Sequence, residues 1–491
     1  MANTKPNVLI IMTDQHRSDY MGCTRLRDWG GNMPAPTPNI DKIAGRGVRF
    51  KNAYCAYPVC LASRSAMLTG LYAHTTGADT NQDVLDRRYR TMAHHFASNG
   101  YYTGLIGKMH FNNACNHGFD FYMSINDWLM YLGPKVQYYA DEIGSHQISP
   151  QFYWTVDDDG AGFPDLRNVW IDGKSPWIGH VNSIPPEKYA SAMAEEDHME
   201  SFIARESVKF LELNGKQPFF LVASFMKPHT PFHPPAKYAE MYPADSIKLK
   251  DPGDLSEYPD CIRKMSQNFS GFPEVNRKSA IAGYLGNLAF VDTRIGYLYD
   301  SLERLGLLEN TIVIYTSDHG EMDGDHGIYQ KFCMFDPSVK MPLIVSWPGH
   351  YGQNVVSDRL INQIGLYPTL VDLTGTGPVS CVPLAPMDNA PAGLDAESWA
   401  GKVLHPLESD SDDEDVFSEY RVKNYSQSEF MVRDKKYKYI YYRSGGDVLF
   451  DLEKDPGEFI NLAKRSGYTE IIKTMRMRLL KYIDIKFSGE N

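Results

Sequence analysis

Five mostly apolar runs recur along the chain, each of five or six residues. Runs of this length without polar alternation are typical of strands that are buried on both faces of a parallel sheet. A shorter run at 48–50 predicts one more strand. We therefore predict the main strands at residues 7–12, 102–106, 219–224, 311–316 and 343–347.

Segments with helical periodicity lie between these runs. In 279–305 the apolar residues recur at steps of three and four, as on one face of an amphipathic helix. Further helices are predicted after Thr37 and at 90–99, 196–213 and 365–374. Because strands and helices take turns, we expect the α/β class, with a large, mostly parallel sheet sandwiched by helices.

The last part of the chain follows a different pattern. An acidic run at 408–415 predicts a solvated loop and a domain boundary. Strands predicted at 430–433, 437–442 and 447–452 and a helix at 471–485 indicate a small antiparallel sheet with one helix. We expect a catalytic domain at 1–405 and a C-terminal subdomain at 416–491.

Residues 127–189 interrupt the alternation of strands and helices. This segment is rich in aromatic residues, glycine, proline and aspartate. Long irregular segments of compact domains are often binding loops. We expect a substrate rim here, although a surface excursion with its own small core fits the composition equally well.

Composition and charge restrict the partners of the protein. The hydrophobic content of 43% and the charged content of 22% are ordinary for a globular protein. The net charge of −12 and the lack of a basic run argue against nucleic acid as a partner. A local basic pocket in an acidic protein is still compatible with an anionic substrate. The oligomeric state is left open.

The ends of the chain and its cysteines bear on its compartment. Residues 1–6 lack the apolar segment and cleavage site of a signal peptide, and the run 8–12 is too short to cross a bilayer. A cytoplasmic location is expected, although a chain already trimmed of its signal would look the same. The seven cysteines are scattered and include no C-x-x-C pair, so most are expected to be core residues.

Polar side chains follow four of the five main strands at the point where each strand ends. Open α/β sheets place their ligand sites at the carboxyl ends of parallel strands. Carboxylate and amide oxygens suit hard divalent cations, and an imidazole is also a suitable ligand for a transition metal. Cations and imidazoles suit the stabilisation and protonation of an ester oxyanion. The residues concerned are Asp14 and Gln15, Lys108 and His110, His229, and Asp318 and His319.

The stretch 60–70 predicts a loop that runs into a helix with Cys60 near its start and Gly70 at its end. Unpaired backbone N–H groups and the helix dipole favour an anion there. Arg64 lies one helical turn further on, on the same face as Cys60. A lone cysteine is otherwise most often a small buried hydrophobic residue.

This stretch resembles the signature of type I sulfatases, C-x-(P/A)-S-R-x-x-(L/M)-x-(T/S)-G, over eleven positions. Residues 317–327, 107–110 and 451–458 also resemble segments of that family, so the likeness extends from residue 7 to about 462. It implies an alkaline phosphatase-like fold and the hydrolysis of sulfuric esters. By the same resemblance, Cys60 is converted by a maturation enzyme to formylglycine, whose hydrated aldehyde is the nucleophile. Ala62 stands where proline is commoner, which leaves open the maturation system that recognises this chain.

The resemblance also implies a role for each site residue. His110 resembles the base that takes a proton from the formylglycine hydrate. His229 and Lys331 resemble the pair on the leaving-group side, with His229 as the general acid. Arg64 and Lys108 resemble the groups that steady the nucleophile and the sulfate. One divalent metal, expected to be calcium, would lie among Asp14, Gln15, Cys60, Asp318 and His319.

Two pairs of residues differ from the commoner sulfatase pattern. Many sulfatases have Asp-Asp in place of Asp14-Gln15, and Asp-Asn or Asp-Gln in place of Asp318-His319. The combination in this chain is similar to that of phosphonate monoester and phosphodiester hydrolases, for which manganese or another transition metal is more plausible. The first hypothesis is a sulfatase that acts on a small-molecule or oligosaccharide sulfate ester. The second is a phosphonate or phosphate diester hydrolase, and the third is a metal-stabilised binding protein whose Cys60 is never matured.

Overall fold

A computed structural model describes residues 5–24, 37–113, 115–137, 189–350, 352–387, 390–404, 414–421 and 428–484. Its main feature is an eight-stranded sheet. The five main predicted strands are all present, and the strand predicted at 48–50 is the middle of a longer one. The strands are β1 (Asn7–Asp14), β2 (Gly47–Tyr54), β3 (Tyr102–Gly107), β4 (Phe121–Met123), β5 (Phe219–Pro228), β6 (Thr311–Ser317), β7 (Leu343–Ser346) and β8 (Val355–Asn362).

The order of strands in the sheet is β4-β3-β5-β1-β6-β7-β2-β8. Strand β1 lies between β5 and β6, is parallel to both, and is buried along its whole length. Strand β7 is antiparallel to β6 and β2, so the sheet is mixed but mostly parallel. The carboxyl end of β7 therefore lies at the opposite edge, which explains why no cluster of polar site residues follows it.

Helices cover both faces of the sheet. They are α1 (Pro38–Gly45), α2 (Cys60–Thr69), α3 (Ala73–Thr76), α4 (Met92–Ser98), α5 (Ile125–Leu132), α6 (Met199–Asn214), α7 (Ala236–Ala239), α8 (Asp260–Ser270), α9 (Glu274–Arg304), α10 (Asp336–Val339), α11 (Leu366–Thr374) and α12 (Ala400–Leu404).

The alternation of side chains along β1 divides the core into two parts. Val8 and Ile10 pack in one hydrophobic cluster with residues of α2, α4 and α11. Leu9 and Ile11 pack in another with residues of α1, α6 and α9. Successive side chains of a strand point to opposite faces, so both faces of this central strand are covered by helices. The predicted α/β sandwich is confirmed.

A second, antiparallel sheet forms near the C-terminus. Its order is β12-β11-β10-β9, and helix α13 (Thr469–Leu479) shares a hydrophobic cluster with it. The strands are β9 (Val416–Tyr420), β10 (Glu429–Arg433), β11 (Tyr437–Tyr442) and β12 (Asp447–Asp451).

Two predictions concern residues that are largely outside the described ranges. Of the predicted rim at 127–189, residues 138–188 lie outside the described ranges. Of the acidic run at 408–415, residues 408–413 lie outside them. The proposed domain limits, 1–405 and 416–491, therefore remain predictions. Among the described helices, none combines the length and apolarity that spanning a bilayer requires.

Candidate active site

The two central parallel strands deliver two carboxylates to one edge of the sheet. Asp14 is the last residue of β1, and Asp318 directly follows β6. The register pairs Thr13 with Ser317, so the next residue of each strand is brought alongside the other. The backbone N–H of Gln15, which has a φ of 67°, donates to Asp318 Oδ1 over 3.0 Å. Both carboxylates are fully buried.

Helix α2 presents Cys60 to this edge. Cys60 is its first residue and is 1% exposed. The preceding residue, Val59, makes no side-chain cap, but the N–H of Leu61 donates to Asn81 Oδ1 over 3.2 Å. Gly70 ends the helix with a φ of 69°, as expected for a left-handed stop. The predicted loop-to-helix geometry around Cys60 is therefore present.

Arg64 links the two carboxylates. Its Nη2 lies 3.0 Å from Asp14 Oδ2, and its Nε lies 2.9 Å from Asp318 Oδ2. Its Nη1 donates to the backbone oxygen of Lys108 and to Ser224 Oγ over 3.0 and 2.8 Å. One buried guanidinium thus connects the carboxyl ends of β1, β3 and β6 with a residue of β5. In this structure Arg64 contacts the two carboxylates directly. The role expected for it was to steady the nucleophile and the sulfate.

The thiol of Cys60 lies among the metal-ligand candidates. Its Sγ is 3.3 Å from His319 Nε2, 3.4 Å from Lys331 Nζ and 3.9 Å from Asp14 Oδ1. One donor atom from each of Asp14, Cys60, Asp318 and His319 lies within 4.8 Å of the other three. His319 Nδ1 lies 2.9 Å from the Gly320 carbonyl oxygen, which directs Nε2 toward this cluster. Two carboxylates and an imidazole fit a divalent cation.

Gln15 lies beside the cluster and has a partner at each end of its amide. Lys331 Nζ donates to Gln15 Oε1 over 2.6 Å. Gln15 Nε2 donates to Glu321 Oε2, and Glu321 Oε1 accepts from the N–H of Asp323 over 2.9 Å. We did not assign Glu321 a role from the sequence, although it lies in the stretch 317–327. Its contact with Gln15 fixes which way the amide oxygen points.

The charges of these groups are strongly coupled. Burial and the nearby Cys60 thiol oppose ionisation of Asp14, but Lys108, His229 and Arg64 together hold the pKa of its carboxyl well below the usual range. Lys108 Nζ makes a direct ion pair with Asp14 Oδ2. Burial raises the pKa of Asp318 to about 6, and the neighbouring Asp14 charge adds to this effect.

The same cations act on the thiol of residue 60. Burial alone would raise its pKa, but Lys108, Lys331 and His319 bring the pKa of Cys60 well below its ordinary value. The surrounding positive charge therefore favours the anionic form of the Cys60 thiol.

Two further histidines complete the site. His110, which has a φ of 59°, is hydrogen bonded to Cys60, although burial lowers the pKa of its imidazole. His229 Nε2 lies 3.9 Å from Asp14 Oδ1, and its Nδ1 lies 2.8 Å from the Thr230 carbonyl oxygen. Burial, with Lys331, lowers the pKa of His229 to about 4. His229 is therefore neutral at pH 7 in the free protein.

The loop that carries His229 is held from two sides. Lys227 Nζ donates to the carbonyl oxygens of Pro231 and His233 over 3.4 and 3.2 Å. Asn287 Nδ2, on α9, donates to the carbonyl oxygen of Pro231 over 3.1 Å. Both side chains are buried. Lys227 is therefore a residue that positions this loop, a role that sequence spacing did not indicate.

The structure brings all ten predicted site residues to one edge of the sheet. Sequence reasoning missed Glu321, Ser224, Asn81 and Asn287, which contact these residues or their loops. Polar side chains of this kind carry no distinctive spacing of their own. The ten residues are Asp14, Gln15, Cys60, Arg64, Lys108, His110, His229, Asp318, His319 and Lys331.

Comparison with known proteins establishes the family. The sulfatase family matches residues 6–376, and the family described as N-sulphoglucosamine sulphohydrolase, C-terminal, matches residues 324–484. An arylsulfatase of Clostridium perfringens is 30% identical over 497 residues, covering 99% of this chain and 96% of that protein. A choline-sulfatase of Rhizobium meliloti is 28% identical, covering 94% of this chain and 83% of that protein. The chain belongs to the sulfatase family.

Solved structures agree on the fold. A protein solved in complex with its substrate D-glucosamine-2-N,6-O-disulfate superimposes with a TM-score of 0.74 at 20% identity, covering 97% of each chain. The phosphonate monoester hydrolase of Agrobacterium radiobacter gives a TM-score of 0.74 at 23% identity, covering 97% of this chain and 95% of that one. The fold is thus alkaline phosphatase-like. With the family and its named relatives, this makes the protein a sulfatase, a hydrolase of sulfuric esters.

Proposed function

We propose that this sulfatase releases sulfate from a sulfated carbohydrate, with a nucleophile derived from Cys60 and one divalent metal. The observation that carries the proposal is the cluster of donor atoms from Asp14, Cys60, Asp318 and His319 within 4.8 Å of one another. Cations surround this cluster, as the hydrolysis of an anionic ester requires. They are Arg64, Lys108 and Lys331.

The metal would be held by Asp14, Asp318 and His319, with the amide oxygen of Gln15 on the same side. A bound divalent cation would neutralise charge on the sulfate oxygens. Calcium is the metal expected for a sulfatase, whereas His319 is a softer ligand that also suits manganese. Calcium and manganese should be added separately to chelator-treated enzyme, with bound metal measured by mass spectrometry and the thermal midpoint recorded. Tighter retention of manganese than of calcium would contradict the assignment of calcium.

Each residue around position 60 would have a distinct task. A hydrated aldehyde at residue 60 would supply a hydroxyl nucleophile. His110 is placed to take a proton from a group at residue 60. Arg64 and Lys108 would steady the nucleophile and the sulfate, and Lys331 would act with His229 on the leaving-group side. His229 would give a proton to the leaving oxygen, and the negative charge of a bound ester beside it would raise its lowered pKa.

The proposal of a carbohydrate substrate draws on the region beside His229 and on the comparisons. A pocket there is lined by Trp128, His198, Lys227 and Glu200, among others. Six of the eleven residues that line this pocket are polar, and the others are one tryptophan, three methionines and one proline. The polar groups could bind the hydroxyl groups of a leaving group, and the tryptophan could pack against its ring. The disulfated glucosamine bound by the structural relative is a ligand of this kind.

Activity assays on matured, metal-loaded enzyme test the reaction. We expect sulfate release from at least one member of a panel of aryl and carbohydrate sulfates. Cys60→Ala should abolish this release. Cys55→Ala is the matched control, because Cys55 is a buried cysteine that does not belong to the cluster of donor atoms. Substantial activity in the Cys60→Ala variant would overturn the covalent mechanism.

The maturation of Cys60 has a readout that does not depend on activity. Conversion of the thiol to an aldehyde lowers the mass of the peptide by about 18 Da, creating the activated group that covalent catalysis needs. Mass spectrometry of the peptide that contains residue 60, from enzyme made in its native host, should show this loss. A fully unmodified thiol would favour the reading of a metal-stabilised binding protein.

A second candidate is the hydrolysis of phosphonate or phosphate diesters by the same residues. The observation that favours it is the imidazole of His319 in the donor set. Matched aryl sulfate and aryl phosphonate esters, compared by kcat/KM, separate the two. A large preference for the phosphorus ester would replace the first proposal.

A further inference from the structure

A cleft of about 250 Å³ lies where the segment after β6 meets the end of β10. It has room for an oxyanion and several waters, because one water takes about 30 Å³ in the liquid. None of the residues that line it belongs to the ten of the active site. Its polar lining residues are Ser18, Asp19, Asn52, Asp336, Lys340 and Arg433.

Arg433 is a buried cation in this cleft. The residue is 6% exposed. Its Nη1 donates to the hydroxyl of Tyr54, and its Nε donates to the carbonyl oxygen of Asp434 over 3.3 Å. Within the described part of the chain, no carboxylate oxygen lies within 4.0 Å of its guanidinium nitrogens. Burial lowers the pKa of Arg433 to about 10, although the more distant charges of Glu458 and Asp434 oppose this effect. Because a buried charge is costly without a directly paired counter-charge, a guanidinium whose direct contacts are neutral oxygens indicates a place for an anion.

The nearby carboxylates are already used by another cation. Arg433 on β10 pairs with Lys438 on β11, so the two cationic side chains share one face of the sheet. Lys438 Nζ lies 2.9 Å from Asp336 Oδ1 and 2.7 Å from Glu458 Oε1. Lys340 Nζ, 3.5 Å from Asp336 Oδ2, adds a third cation. Three cations therefore face two carboxylates.

A further carboxylate at the cleft does not remove this excess, and one of the two carboxylates already counted carries less than a full charge. Asp19, which also lines it, is paired with Arg17 over 2.9 Å. Burial raises the pKa of Glu458 to about 7, despite the opposing effect of Lys438. One of the two carboxylates is thus only partly ionised at neutral pH, so Asp336 and Glu458 do not fully neutralise the three cations beside them.

We propose that the cleft binds a sulfate group between Arg433 and Lys340. Sulfate is the chemical class that fits, because a planar guanidinium can bind two oxygens of a tetrahedral oxyanion at once. The enzyme itself produces sulfate, so its own product is available as a ligand. The same chemistry would recognise a sulfate group carried by a sugar.

Crystals of the matured, metal-loaded enzyme, grown without sulfate or phosphate and soaked in sodium selenate, test this proposal. Anomalous diffraction at the selenium edge should show one peak beside Arg433 and Lys340. A second peak near Arg64 and Lys108 would report on the proposed active site independently. A peak at the active site without one in the cleft would overturn the inference and leave the proposed function intact.

Variants identify the residues that hold the ion. Lys340→Met should remove the cleft peak and leave the active-site peak, and its side chain is exposed enough (20%) for the fold to survive the change. Lys51→Met is the matched control, because Lys51 lies on β2 beside the cleft-lining Asn52 and pairs outward with Asp358 over 2.8 Å. A cleft peak that persists in Lys340→Met would refute the assignment. Arg433→Met should also remove it, where that variant folds.

Competition separates the two sources of the sulfate group. Excess sodium sulfate in the soak should displace selenate from the cleft. If glucosamine 6-sulfate displaces it equally, the site takes the sulfate group of a sugar as well as the free ion. If neither displaces it, the cleft does not recognise sulfate, and the proposal fails.

Discussion

Removing the guanidinium of Arg64 should destabilise the whole protein, because both of its carboxylate partners are buried. Arg64→Met keeps most of the side-chain volume but removes the contacts to Asp14 and Asp318. Asp14 would keep Lys108 as a partner. Asp318 would keep the backbone N–H groups of Gln15 and His319 and the His319 imidazole, whose Nε2 lies 3.6 Å from Asp318 Oδ1. Asp318 would thus lose its only arginine or lysine partner among the described residues.

The expected size of the effect follows from the burial. Breaking a buried pair by removing one partner costs about 3–5 kcal/mol, because the other charge stays buried. Unfolding entropy is about 2.1 cal/mol/K per residue, or about 1 kcal/mol/K for a chain of this length. The Tm of Arg64→Met should therefore fall by about 3–5 °C in chelator-treated protein.

Scanning calorimetry of matched variants tests this estimate. Arg46→Met removes an exposed arginine that pairs with Glu303 over 3.0 Å, and should lower Tm by about 1 °C or less. Arg64→Lys keeps the positive charge but loses the planar guanidinium that contacts both carboxylates. Its Tm should therefore lie between those of Arg64→Met and Arg46→Met. A divalent metal should raise the Tm of Arg64→Met more than that of the wild type, because it would neutralise the carboxylates left behind. If Arg64→Met and Arg46→Met behave alike, the buried network contributes little.

Three further predictions concern other parts of the molecule. Gly320→Ala should lower the free energy of unfolding by about 1–3 kcal/mol or more, because its Cβ would lie 2.0 Å from a backbone oxygen. Gly45→Ala in α1 should raise it by about 0.5–1 kcal/mol, because its Cβ would meet nothing within 4 Å. Urea unfolding of the two variants checks both values. Burial opposes the charged form of His74, but the hydrogen bond to Glu419 raises its pKa above the unfolded value. This stabilisation is present below about pH 6.5 and is lost as pH rises through the raised pKa, so His74→Gln should flatten the decline of Tm above about pH 6.5. Lys227→Met should lower kcat most for esters with poor leaving groups, because it loosens the loop of the proposed general acid; equal losses across a leaving-group series would contradict this.

The sequence predicted the parts of the fold that have strong local patterns. Buried central strands are continuous apolar runs, and the long helix α9 repeats its apolar residues over many turns, so both were recognised. Strand β8 was missed because it is half exposed and contains Ser357, Asp358 and Arg359. The three-residue strand β4 is too short to leave a pattern. Strand β9 follows the acidic run and was not separated from it.

The site shows the same division between local and distant information. Residues just past the strand ends could be predicted, because parallel strands must bring their carboxyl ends to one edge. Helical spacing placed Arg64 on the face of Cys60, but it could not show that this long side chain reaches Asp14 and Asp318. The role of Glu321 depends on a contact with Gln15, 306 residues away in sequence. Contacts of this kind depend on tertiary packing.

The contact between Cys60 and Lys331 joins residues that are 271 positions apart. At a synthesis rate of about 5–20 residues per second, roughly 14–54 s separate the appearance of these two residues on the ribosome. During that interval the thiol of residue 60 has no Lys331 beside it, and Asp318 is synthesised only shortly before Lys331. An enzyme that acts during that interval would meet the thiol in an unfinished chain, whereas in the completed protein Cys60 is 1% exposed.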